Sequence, residues 1–257
     1  MRIHGLPVSV ELKKSYQIPA AILAASMGFY LAGTIYEFPN MSLLVRMAIV
    51  ISPVLVSVAC FLTMHSYGRS RIFGKSYALL GIGYIATFVG EMVFFYYVDY
   101  LLLHEYVMLG DMLIFSSYPF MVGHILINIR YFAHKFEAFQ KLLFVVVLAV
   151  IFCGYSLILY GTPLSDPSSF YYYLVFVSAS SVVLGLAVIA FTVFRHTALA
   201  SAWRVLLVGI ALGTVGDILY NHASTLGVYD FGDFSNILWI ASSPVMVYAL
   251  YMHRQSL

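Results

Sequence analysis

Residues 77–94, YALLGIGYIATFVGEMVF, lie without a gap over residues 203–220, WRVLLVGIALGTVGDILY. Gly83 falls on Gly209, Gly90 on Gly216 and Glu91 on Asp217. Both stretches approach the roughly 20 predominantly apolar residues with which a helix crosses a bilayer. Further along, residues 111–122 (DMLIFSSYPFMV) lie over residues 236–247 (NILWIASSPVMV), after an intervening segment one residue shorter in the second copy. There Ser117 meets Ser242 and Pro119 meets Pro244. The chain therefore reads as a duplicated membrane unit.

Composition points the same way. Hydrophobic residues make up 62% of the 257 positions and charged residues 9%, whereas soluble domains carry about 25% charged residues. Polar interruptions divide the chain into apolar spans near 17–36, 42–64, 77–98, 111–132, 142–161, 170–195, 203–222 and 235–253. Spans one and two match five and six in length and order. The expected fold is all-α: a single membrane domain over 1–257 with eight transmembrane helices, repeat one at 17–132 and repeat two at 142–253. An even number of spans in each half makes the two four-helix repeats parallel. Glu91 and Asp217 then share a depth, as do Asp111 and Asn236.

Charge sets the expected orientation, because cytoplasmic loops are enriched in Lys and Arg. Arg2, Lys13, Lys14, Arg69, Arg71, Lys75, Arg130, Lys135, Lys141, Arg195, Arg204 and Arg254 all belong to one side. Glu37, Asp99, Glu105, Asp166, Asp230 and Asp233 fall in the alternate loops or at their edges. A cell-membrane protein with both termini cytoplasmic and an acidic outward face is the expectation. The net charge of +2 is too small and too scattered for a nucleic-acid surface. Cys60 and Cys153 lie in apolar stretches without a CxxC, which argues against a disulfide framework or a thiolate metal site. No lysine follows Lys141 to form a rhodopsin-type Schiff base in the last helix, and no P-loop or dinucleotide fingerprint occurs. No cofactor is expected.

The candidate site is a polar layer beneath the outward surface. Glu91 lies some fourteen residues into its span, roughly 20 Å from the cytoplasmic end at 1.5 Å per residue, and Asp217 lies equally deep. Asp111 and Asn236 begin the outward ends of spans four and eight. Carboxyls within a membrane are costly and turn inward or toward water, so these residues either serve a ligand or cap and bind neighbouring helices. Arg46 is the one base in the outward half; it pairs with Glu91 or Asp111, or snorkels to headgroups. The position matching it is Tyr172. Pro119 and Pro244 are expected to kink their helices. Ser116, Ser117, Ser242 and Ser243 beside them are either ligand donors or partners for freed carbonyls. His124, with Asn128 one turn on, reads as an interhelical hydrogen bond rather than a metal ligand.

Residues 216–250 (GDILYNHASTLGVYDFGDFSNILWIASSPVMVYAL) resemble the end of polytopic membrane domains found ahead of diguanylate-cyclase and histidine-kinase modules in bacterial signalling proteins, with Asp217, Tyr220, Gly227, Tyr229 and Trp239 in matching places. Asn236 stands where such domains commonly have an acid. The resemblance implies a stand-alone, sensor-like membrane domain that needs a signalling partner protein to transmit any signal. The polar layer is then expected to form an outward-facing, ligand-binding cavity lined by Arg46, Glu91, Asp111, Asp217 and Asn236, in a protein surrounded by the lipid bilayer. A second resemblance runs to the lysoplasmalogenase family, eight-helix membrane proteins with an acid near the same place in each half. It implies Glu91 and Asp217 as general acid and base in hydrolysis of a lipid vinyl ether, although Gly-Glu stands here for Gly-Asp and Tyr118 takes the place of a histidine. A third possibility is an accessory subunit of a larger membrane complex.

Overall fold

Where no water is available to the backbone, an apolar run satisfies its N–H and C=O groups by becoming a helix. The computed structural model describes residues 8–35, 40–67, 70–103, 107–133, 135–159, 167–230 and 232–255, and among them every regular element is helical. Arg2, Glu37, Arg69, Glu105 and Asp166, which entered the charge pattern, lie outside the described residues. The elements are α1 (Val8–Ile35), α2 (Met41–Ser66), α3 (Arg71–Val93) with a π-helical continuation (Phe94–Tyr100), α4 (Val107–Phe115), α5 (Ser117–Phe132), α6 (Ala138–Leu159), α7 (Pro167–Phe194), α8 (Ala200–Leu226) and α9 (Phe234–Gln255).

Seven helical segments among the described residues are long and apolar enough to cross a membrane: α2, Ile72–Tyr100, Val107–Phe132, Ala138–Leu157, Phe170–Phe194, α8 and α9. The apolar part of α1, Gln17–Gly33, falls short of that length. Exposure marks the membrane-facing surface. On α2, Leu44, Ile51, Leu55, Val58 and Leu62 recur along one stripe and are each about half exposed, while Val45, Ile49, Val56 and Cys60 on the opposite stripe are buried. An apolar row of that length is a liability in water and the natural surface in lipid.

Six columns close into a ring: α2 packs on α3, α3 on α4 and α5, α5 on α7, α7 on α8, α8 on α9, and α9 back on α2. Outside the ring, α1 lies mainly against α9 and α8, and α6 mainly against α7. These two helices are therefore placed differently, although their spans correspond in order along the chain. Lipid gives helices no hydrophobic reason to associate, so close approach over small residues has to hold them. Gly90 is such a point, where an added Cβ would stand 2.8 Å from the Gly110 carbonyl oxygen and 2.6 Å from Ile114. At Gly216 an added Cβ would stand 3.3 Å from the Ser235 carbonyl oxygen and 2.7 Å from Trp239. Ile114 and Trp239, met at the two crossings, are paired by the sequence alignment, and Gly110 and Ser235 stand directly before its second block. Hydroxyls add to the contacts: Ser57 donates to the Gly81 carbonyl at 3.0 Å and Ser242 to the Gly209 carbonyl at 2.9 Å.

Local punctuation follows the residue types. Ser70 caps α3 by accepting from the Phe73 N–H. α8 ends at Gly227, whose φ of 69° suits glycine, and the Val228 N–H reaches back to the Ala223 carbonyl at 3.0 Å. The two prolines act differently. Pro119, with no N–H, sits just past the interruption between α4 and α5 at Ser116, whereas Pro244 stands inside a continuous α9.

Candidate functional site: a two-sided polar cavity

Within the ring lies a cavity of about 310 Å³ whose wall includes residues of α2, the π-helical turn and every other ring helix. Arg46, Glu91, Asp111 and Asp217 all line it, as do Asp99, Tyr118 and Trp239. Asn236 is absent from the wall. Its side chain is 1% exposed and accepts from the Tyr229 hydroxyl at 3.0 Å. Burial pushes the Tyr229 phenol up to about 12, so it remains a donor at neutral pH.

Two of the wall's acids share its one base. The Arg46 guanidinium donates through Nη1 to Glu91 Oε2 and through Nε to Asp99 Oδ2, both at 2.7 Å, and through Nη2 to the Glu91 carbonyl at 3.4 Å. Its Cζ stands 5.9 Å from the centre of the Phe94 ring. Of the two partners the sequence offered for Arg46, Glu91 is the one used, and Asp99 takes the place of Asp111. The cause is helical geometry. Along an α-helix Asp99 would sit about 80° around the axis from Glu91, at 100° per residue. With bonds from i to i+5, a π-helical turn advances only about 80° per residue and returns Asp99 to the face of Glu91. The Leu101 N–H donates to the Tyr96 carbonyl, five residues back, at 3.1 Å.

The other two acids of the wall are held by neutral donors. Trp239 Nε1 donates to Asp217 Oδ1 at 2.9 Å and the Tyr118 hydroxyl to Oδ2 at 3.0 Å. Asn221, which also lines the cavity, donates to the Asp217 backbone carbonyl at 2.6 Å. Tyr172, the residue in the place of Arg46, donates to Asp111 Oδ2 at 2.5 Å and so bridges α7 and α4. Gly216 makes room for the indole: a Cβ there would stand 2.8 Å from Trp239 Nε1. Sequence reasoning passed over Tyr118, Tyr172 and Trp239 as site residues because, in a chain with 21 tyrosines and 20 phenylalanines, aromatic residues mark every face. The one available signal was position, a large aromatic opposite a glycine and next to an acid.

The serines beside the prolines serve the backbone as well as the cavity. Ser116 donates to the Leu113 carbonyl at 2.7 Å, while Ser117 and Ser243 line the cavity.

A second polar group is buried toward the opposite end of the ring. Ser76 Oγ and His124 Nδ1 are 2.8 Å apart, and Asn128 donates to Ser76 Oγ and to the His124 carbonyl. The Tyr77 hydroxyl and His253 Nδ1 are also 2.8 Å apart. Trp203 completes the group, stacked on Phe194 with ring centres 4.6 Å apart. His124 makes the interhelical bond expected of it. Among the described residues no group of three or more His, Cys, Asp or Glu side chains is arranged to hold a metal ion.

Comparison with protein-family models, with curated proteins and with solved structures finds no match to this chain.

Proposed function

We propose that the chain is an eight-span membrane protein of two parallel four-helix repeats, and that it acts as a sensor-like module binding a small ligand in its acidic cavity. The observation that carries this reading is the cavity itself: about 310 Å³, ringed by helices from both halves, with Arg46, Glu91, Asp111 and Asp217 around it. Pockets for small organic molecules begin at about that size. The matched crossings at Gly90 and Gly216 support duplication. Orientation rests on charge. Lys75, Lys135, Arg195 and Arg254 belong to the helix ends opposite the cavity, so the cavity faces outward and both termini are cytoplasmic. Transmission of a signal would need a partner protein. The test is a ligand screen on detergent-purified protein, read as melting temperature. A bound ligand at a hundred times its Kd adds about 2.7 kcal/mol, and Glu91→Gln or Asp217→Asn should remove the shift. A library that never shifts the wild type counts against the reading.

A second reading, hydrolysis of a lipid vinyl ether, is favoured by one observation: Glu91 and Asp217 face the same cavity. Against it, Glu91 is already ion-paired with Arg46. Incubation with a lysoplasmalogen should release aldehyde, and release should stop in either carboxamide variant.

A further inference from the structure

The cavity's acids fall into two groups by their partners, and the difference names a ligand class. Two of its acids, Glu91 and Asp99, share the guanidinium of Arg46 at 2.7 Å each. The other two, Asp111 and Asp217, have among the described residues only neutral partners, the hydroxyls of Tyr172 and Tyr118 and the indole N–H of Trp239. Four carboxyls thus face one base, and that base is engaged. Neutral donors orient a carboxylate without cancelling its charge. Asp111 and Asp217 are both partly buried, and where such a carboxylate loses its water the missing counter-charge comes from a proton or from whatever fills the space.

The surface around Asp217 suits a cation with an organic body. Tyr173, Tyr220, Tyr229 and Trp239 all line the cavity, and Tyr220 touches each of the other three, its ring centre 6.3 Å from that of Tyr173, 4.7 Å from Tyr229 and 5.1 Å from Trp239. Aromatic faces attract ammonium groups, most strongly when both are desolvated. An anion would meet the acids with Arg46 already taken, and an uncharged molecule would gain nothing from Asp217 or Asp111 beyond hydrogen bonding.

Resting on the ligand-binding reading above, we infer that the cavity takes a small organic cation, an ammonium group on a body of about one ring, with its charge toward Asp217 and Asp111 and its apolar part on the aromatic wall. The Arg46 guanidinium stays with Glu91 and Asp99.

Three probes of one size separate the possibilities: benzyltrimethylammonium, its uncharged carbon isostere neopentylbenzene, and benzoate. Each is titrated into wild-type protein in a non-ionic detergent, with binding read by calorimetry and by melting temperature. The cation should bind at least about tenfold more tightly than the isostere, and benzoate should not bind. Asp217→Asn, which keeps an acceptor for Trp239, should weaken the cation about tenfold or more and leave the isostere unchanged. Because that variant could fail to fold, Trp239 emission is followed as well in a Trp203→Phe background, where it is the only tryptophan. The cation should change that emission at lower concentration than the isostere. Equal binding of cation and isostere, or preference for benzoate, overturns this inference and leaves a ligand-binding cavity standing. Failure of all three probes to bind or to alter Trp239 emission overturns both.

Discussion

Replacing Arg46 by methionine keeps an unbranched stem in the ring and removes the guanidinium that Glu91 and Asp99 share. The two ion pairs are not equal. Arg46 and Glu91 have side chains 10% and 12% exposed, whereas that of Asp99 is 31% exposed. Breaking a buried pair from one side costs about 3–5 kcal/mol, because the surviving charge stays desolvated and unpaired. A pair near solvent is worth about 0.2–1 kcal/mol. Arg46→Met should therefore destabilise the protein by about 3–5 kcal/mol, nearly all of it through Glu91. At about 2–4 °C per kcal/mol for a chain of this size, the melting temperature should fall by about 10 °C. The specific content is the coupling. Combined with Glu91→Gln, Arg46→Met should cost less than the sum of the single changes by about 1.5–3 kcal/mol, and combined with Asp99→Asn by less than about 1 kcal/mol. Thermal unfolding of the four proteins of each cycle in one detergent, at one scan rate, measures both. Additivity of Arg46 and Glu91 within about 0.5 kcal/mol would refute the reasoning, as would a larger coupling to Asp99 than to Glu91.

Other substitutions read other parts of the frame. Gly90→Ala sets a Cβ against the Gly110 backbone and Ile114 and should lower stability by about 1–3 kcal/mol, as expected of overpacking. Gly154→Ala on α6, where an added Cβ meets nothing within 4 Å, should be neutral or stabilising by up to about 1 kcal/mol; thermal melts of the two variants side by side provide the check. Tyr77→Phe takes the partner from His253 Nδ1 in a fully buried position and should cost about 1–3 kcal/mol in the same assay. For orientation, in a Cys153→Ser background, Lys135→Cys should react with a membrane-impermeant maleimide only after cells are opened, and Asp230→Cys in intact cells. The reverse pattern would invert the proposed topology.

Much of this architecture was legible in the sequence because a membrane simplifies the code. Apolar runs of that length favour helices, and the run from Met41 onward and the six after it each became one helical column long and apolar enough to cross a membrane. The repeat singled out Glu91 and Asp217, and the lone base of the acidic half had few places to find a counter-ion. What stayed hidden depended on rotation about helix axes. Asp99 reads as a loop-edge acid until the π-helical turn is known. Asn236 occupies the position of an acid yet lies behind the cavity wall, bonded to Tyr229, which lines it. Tyr118, Tyr172 and Trp239 have the composition of an interfacial belt, and no periodicity distinguishes a tyrosine that meets lipid from one that meets a carboxylate. Proline was similarly ambiguous: the same residue at matched positions interrupts one helical column at Ser116 and leaves α9 whole.

The π-helical turn has a historical dimension. The two copies align at an offset of 126 residues through Phe94 and of 125 from Asp111 onward, so one has a residue more than the other between those points. Phe94–Tyr100 lies inside that interval. A helix that takes in one extra residue does so by widening a single turn. Under the duplication proposed here, a one-residue difference in length between the copies at this turn would bring Asp99 onto the face of Glu91 and so to Arg46. The two groups of acids in the cavity would then differ in helix geometry as well as in sequence.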